Sequence, residues 1–123
     1  MAALGGHFSN LEIDSEDICA LLLQTEECQA LTIHLNYLDR IYRREIMIVC
    51  DDVTIKSDLA SGIIRVCDAE EKFVMHRDET FRSEHRVAMN EGSDLCTVNE
   101  ALQTDLLIRA AGKAAQKKIW VSR

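Results

Sequence analysis

The chain has 123 residues, of which 47% are hydrophobic and only 5% aromatic, with a formal net charge of −7 and no proline. That length is one domain able to bury roughly two-thirds of its unfolded surface, and so high an apolar content excludes wholesale disorder. A pI near 5.0 opposes the phosphate attraction on which nucleic-acid binding depends, and no stretch reaches the roughly 20 apolar residues of a membrane span.

Residues 1–13 read as a flexible N-terminal arm, with Gly5 and Gly6 loosening it and Leu4, Phe8, Leu11 and Ile13 able to dock on a partner. They lack the basic region and apolar run of a secretory signal, so the expected compartment is the cytoplasm. The odd count of five cysteines (Cys19, Cys28, Cys50, Cys67 and Cys96) argues the same way, as buried, reduced thiols and not a disulfide framework.

Residues 14–123 read as a single helical domain, opened by a cap at Asp14 or Ser15 with Glu16 and Asp17 in the first turn. From Ser15 to Cys50, Leu31, Leu35, Leu38, Tyr42 and Val49 recur at four- and three-residue steps, with Glu45 filling one slot, the spacing of one helix face. Gln24 to Gln29 is more polar and marks a break. Ile46 to Ile55 carries an alternative, two short strands around Asp51-Asp52, although Asp-Asp is a poor two-residue hairpin turn. A second helical segment is expected from Val53 or Asp58 to Met89, striped by Leu59, Ile63, Val66, Phe73, Phe81 and Ala88. Asn90-Glu91-Gly92 reads as its stop, and Ser93 or Asp94 as the cap of a third helix, Leu95 to Trp120. The expected fold is therefore all-α, an elongated bundle of about three long helices. A 36-residue helix is about 54 Å long against a radius of gyration of about 14 Å for a globule of this size, so a homodimer is expected to complete the bundle.

Charge is segregated. Residues 1–39 hold seven acids and no lysine or arginine, whereas residues 101–123 hold one acid and five bases. Acidic first and basic last helices lying side by side explain this. Alternatively, Arg109, Lys113 and Lys117 at four-residue steps form a docking stripe for an acidic partner.

Chemical signatures are sparse. A di-iron bundle needs Glu three residues before His on two helices, but Leu31, Phe73 and Arg82 precede His34, His76 and His85. No two cysteines lie closer than nine positions, unlike a zinc knuckle. Glu84-His85 has no thiol placed beside it by the pattern, and the glycines form no phosphate loop. Gly62 and Gly112 are costly inside helices, and two readings stand equally: close packing, with Ala111, Gly112 and Ala115 as a flat patch, or a local kink or tolerated cost.

No catalytic, cofactor or metal site is expected. The expected function is that of a small, non-enzymatic regulatory or adaptor protein that inhibits or sequesters a partner protein, such as a transcriptional regulator, by helix packing. A secretion-type chaperone and a phage-type inhibitor fit the same description. A small helical enzyme or metal-binding bundle is the alternative of another class. The expected protein interface is Leu31, Leu35, Leu38 and Tyr42, with Arg109, Lys113 and Lys117 as the polar counterpart.

Overall fold

The computed structural model describes residues 1–74, 76, 78–90 and 95–122. Among these lie seven strands, β1 (Ala2–Gly6), β2 (Ile18–Leu23), β3 (Leu31–Asn36), β4 (Glu45–Val49), β5 (Thr54–Asp58), β6 (Ile63–Val66) and β7 (Ala69–Lys72). Two helices follow, α1 (Glu79–Met89) and α2 (Val98–Lys117). The strands form two antiparallel sheets, ordered β1-β2-β3 and β4-β5-β6-β7. This corrects the expectation of an all-α bundle. Proline is excluded from central strands as from helix interiors, so its absence does not separate the two classes. Leu31-Thr32-Ile33-His34-Leu35-Asn36 alternates apolar and polar residues at every step, the two-residue period of a half-buried strand. Stiff β-branched side chains crowd residues 46–66, where pleated backbone accommodates them best.

The chain divides into two units, Met1–Asp39 with Cys96–Arg123, and Arg40–Leu95. In the first, β2 pairs with β1 and β3 in a register that sets Ala3 opposite Leu21, Gly5 opposite Cys19 and Leu23 opposite Leu31. Directly paired residues share a face and alternate residues switch faces, so Ala3, Gly5, Leu21 and Leu23 lie on one side. α2 packs against β1, with Ala111 and Ala114 buried and Leu107 and Ala110 half-buried along one helical stripe. With Leu23, these two alanines are the buried apolar residues among those described. Met1 and Val121 exchange backbone bonds, the Met1 amino group donating to the Val121 carbonyl at 2.6 Å and the Val121 N–H to the Met1 carbonyl at 2.8 Å. Residues 2–6, expected in a loose arm, are a strand of this sheet.

α2 falls inside the helix expected at Leu95 to Trp120, but its cap is Thr97. Thr97 Oγ1 accepts the Glu100 N–H at 3.3 Å, while the Glu100 carboxylate accepts the Thr97 N–H at 2.8 Å, a reciprocal capping box. The expected caps Ser93 and Asp94 lie outside the described residues, as do Glu91 and Gly92 of the expected stop.

In the second unit, β4 to β7 form a meander with short turns. Asp51-Asp52 does turn a two-residue hairpin, closed by the Cys50 N–H donating to the Val53 carbonyl at 2.9 Å. Asp58 holds the next turn: its carboxylate accepts the Ala60 N–H at 2.9 Å and the Ser61 hydroxyl at 2.5 Å. Gly62 closes that turn at φ 70°. Of the helix expected from residue 53 or 58 to Met89, the last eleven residues are helical, as α1.

Candidate functional site

Sheet register sorts the side chains of β4 to β7 into two unlike faces. On one, Glu45 and Met47 of β4 sit beside Asp58 and Lys56, then Ile63 and Arg65, then Lys72 and Glu70. Two ion pairs lie here: Lys56 Nζ to Glu45 Oε1 at 3.4 Å, and the Arg65 guanidinium to Glu70 Oε2 at 2.7 Å. This is a solvated, self-neutralised face whose exposed pairs contribute little stability.

The opposite face is apolar. Ile48, Ile55, Val66 and Ala69 run across it in one row, and Ile46, Ser57, Ile64 and Glu71 in the next. Ile46 is 50%, Ile48 49% and Val66 42% exposed, while Ile55 and Ile64 between them are half-buried. A contiguous aliphatic row on a sheet, bounded by charge and open to water, is the signature of a surface built to be covered. Neither Glu45-Ile46-Met47-Ile48-Val49 nor Ile63-Ile64-Arg65-Val66 alternates cleanly, so the sequence signal is confined to the alternative of two short strands around Asp51-Asp52.

The expected interface residues are not brought together. Leu31 and Leu35 lie on one face of β3 and are exposed. Leu38 is half-buried in the segment after β3, and Tyr42, also exposed, belongs to the second unit. The four-residue step joining them is thus a strand, a loop and a unit boundary, not a helix face. Arg109, Lys113 and Lys117 do share α2 at the expected spacing. Arg109 Nε donates to Asp105 Oδ2 at 2.6 Å one turn earlier, and this hydrogen bond and charge raise the Arg109 pKa.

Asp17 is the buried carboxylate of the first unit, 1% exposed. Its Oδ1 accepts the Phe8 N–H at 2.9 Å and its Oδ2 the Ser9 N–H at 2.8 Å. Its own N–H donates to the Gly6 carbonyl, and its carbonyl accepts from Tyr37. Desolvation pushes the carboxyl pKa up, but the Ser9 hydroxyl and the Phe8 and Ser9 amides outweigh it and hold the pKa below the ordinary value. Every polar group of Asp17 is satisfied within the fold, which makes it a pin between the ends of β1 and β3.

His34 Nε2 lies 3.1 Å from Asn36 Nδ2. His76, Asp78, Glu79 and Arg82 surround a shallow cleft at the start of α1. Among the described residues, no three His, Cys, Asp or Glu side chains converge as a metal-binding group. The thiols differ from expectation: Cys19 is half-buried, and Cys28, Cys50, Cys67 and Cys96 are exposed. No helix among the described residues is long and apolar enough to cross a membrane. No protein-family model, curated protein or solved structure matches the chain.

Proposed function

We propose that this chain is a non-enzymatic regulatory or adaptor protein that binds, and thereby inhibits or sequesters, another protein. Its contact surface is the apolar face of the four-stranded sheet. The observation that carries this reading is the open row of Ile48, Ile55 and Val66 with its neighbours Ile46 and Ile64, set against an ion-paired opposite face. Covering such aliphatic side chains gains about 25 cal/mol per Å² of apolar surface removed from water. The odd number of cysteines, five, supports a reducing, cytoplasmic setting.

The test is retention of a partner by the immobilised chain and by Val66→Lys, which places a charge in the middle of the face without touching the backbone ladder. A protein retained by the native chain and released by Val66→Lys, with the circular dichroism spectrum unchanged, supports the reading. Equal retention by both chains ends it.

A further inference from the structure

The two edges of the β4-β5-β6-β7 sheet are built differently. β7 reads Ala69-Glu70-Glu71-Lys72, a short edge blunted by charge, the usual defence against pairing with another chain. β4 reads Glu45-Ile46-Met47-Ile48-Val49, with one charge at its start and every residue exposed. The Cys50 N–H donates to Val53 and the Leu59 N–H to Arg44, so by antiparallel alternation residues 44, 46, 48 and 50 turn their backbone groups toward β5. Glu45, Met47 and Val49 therefore direct theirs outward, along the open edge.

The flanks of β4 carry opposite charge, with Arg44 before it and Asp51-Asp52 after it. A strand that is basic at one end and acidic at the other complements itself only when reversed. We propose that β4 pairs antiparallel with β4 of a second copy of this chain, about a twofold axis at Met47, joining two four-stranded sheets into one.

In this register Met47 faces Met47 of the second copy, and Glu45 faces its Val49. All three positions are outward-facing, so each pair exchanges both of its backbone bonds. Ile46 falls opposite Ile48 of the second copy on the apolar face, which becomes continuous across the junction. Arg44 comes opposite Cys50 of the second copy, with Asp52 of that copy as its diagonal neighbour, twice by symmetry. Parallel pairing would instead set Arg beside Arg and Asp beside Asp. An edge-to-edge contact of one five-residue strand belongs to the small end of specific interfaces, and so describes a reversible dimer.

This inference rests on the reading of the chain as a protein-binding module and names one partner for it, yet it is tested at a different residue. Sedimentation and light scattering of the native full-length chain over a concentration series should show a dimer that weakens with added salt. Met47→Pro removes an N–H that points outward, so it spares the β4–β5 ladder, as proline on a sheet edge does. It should raise the dimer dissociation constant at least tenfold with the circular dichroism spectrum retained. Arg44→Asp or Asp52→Arg alone should weaken the dimer, and the two together should restore it.

If Met47→Pro does not fold, Met47→Cys in a chain with its native cysteines replaced by alanine gives the answer. Paired Cα atoms about 5.5 Å apart lie within disulfide range, so mild oxidation should link two copies at position 47. Lys72→Cys on the β7 edge, in the same background, should not link. A native chain that stays monomeric, a folded Met47→Pro chain that stays dimeric, or a double reversal that fails to restore pairing overturns the proposal. Loss of partner retention in Val66→Lys with the dimer intact separates the two readings.

Discussion

Gly62 and Phe73 clasp the two ends of the β6–β7 hairpin: the Phe73 N–H donates to the Gly62 carbonyl at 2.9 Å. The Phe73 carbonyl oxygen occupies the space a side chain on Gly62 would need. Gly62 also sits at φ 70°, where any other residue meets its own backbone. Both facts forbid a Cβ. Gly62→Ala should therefore lose at least about 1–2 kcal/mol from the left-handed conformation alone, with the collision adding to it. Urea denaturation followed by far-UV circular dichroism would measure this. Unchanged stability would mean that the turn re-forms without its left-handed residue.

That glycine shows why the helical reading failed and where the sequence was legible. Read as a helix-interior residue, Gly62 asks for a packing excuse; read as the end of Asp58-Leu59-Ala60-Ser61-Gly62, it is the left-handed close of a hairpin loop. Local turn chemistry outweighed apolar spacing. The steps from Leu31 to Leu35, Leu38 and Tyr42 matched a helix only because Ile33 was left out; with it, alternation is complete through Asn36. α2 was legible because propensity and pattern agree there: Leu, Ala and Lys dominate, and four of its five alanines, Ala110, Ala111, Ala114 and Ala115, cluster on one side. The apolar face of β4 to β6 was not, because it assembles from residues up to twenty positions apart whose adjacency exists only in the register. Gly112, by contrast, is inside a helix as expected, but the packing patch is not at Gly112: Ala111 and Ala114 are buried, while Gly112 is exposed.

A Cβ built on Gly112 meets nothing within 4 Å. The glycine thus carries the full entropic cost of its freedom in the unfolded chain with no close approach in return. Gly112→Ala should stabilise the protein by about 1 kcal/mol, read as a higher urea midpoint at unchanged slope. A destabilised variant would reveal a contact at that position that the single chain does not make.

Three carboxylates tie the fold to pH. Hydrogen bonds from the Thr97 amide and hydroxyl lower the Glu100 pKa, and the Ser61 hydroxyl and amide lower that of Asp58. At Asp17 the Ser9 and Phe8 donors override the upward push of desolvation. In each case the folded pKa lies below the unfolded one. The associated stability is therefore present above the ordinary carboxylate range and is lost as pH falls through it toward the folded pKa. Melting temperature should hold between about pH 6 and 7 and fall below about pH 4. Asp17→Asn and Asp58→Asn should each lower the melting temperature at neutral pH and flatten its decline in acid. Thr97→Ala, which removes the capping hydroxyl, should cost about 1 kcal/mol. A native chain with the same melting temperature at pH 3 and pH 7 would refute the linkage.

Cys67 is the first residue of the two-residue turn between β6 and β7, and it lies at φ 50°. There its N–H donates to the Thr54 carbonyl at 2.9 Å, extending the ladder past the last pair of β5 and β6. The conformation is required by the turn, while the side chain is exposed and its thiol unpaired. A thiol-bearing residue in the left-handed region carries strain of about 1 kcal/mol that glycine does not. Cys67→Gly should keep the hairpin and raise stability by up to about 1 kcal/mol, the gain being reduced by the greater freedom glycine gives the unfolded chain. Cys67→Val, branched at the same strained position, should do the opposite. Paired urea denaturation curves of the two variants decide the matter: glycine above native and valine below identifies the turn as the source of strain. The reverse order would place the worth of Cys67 in its side chain.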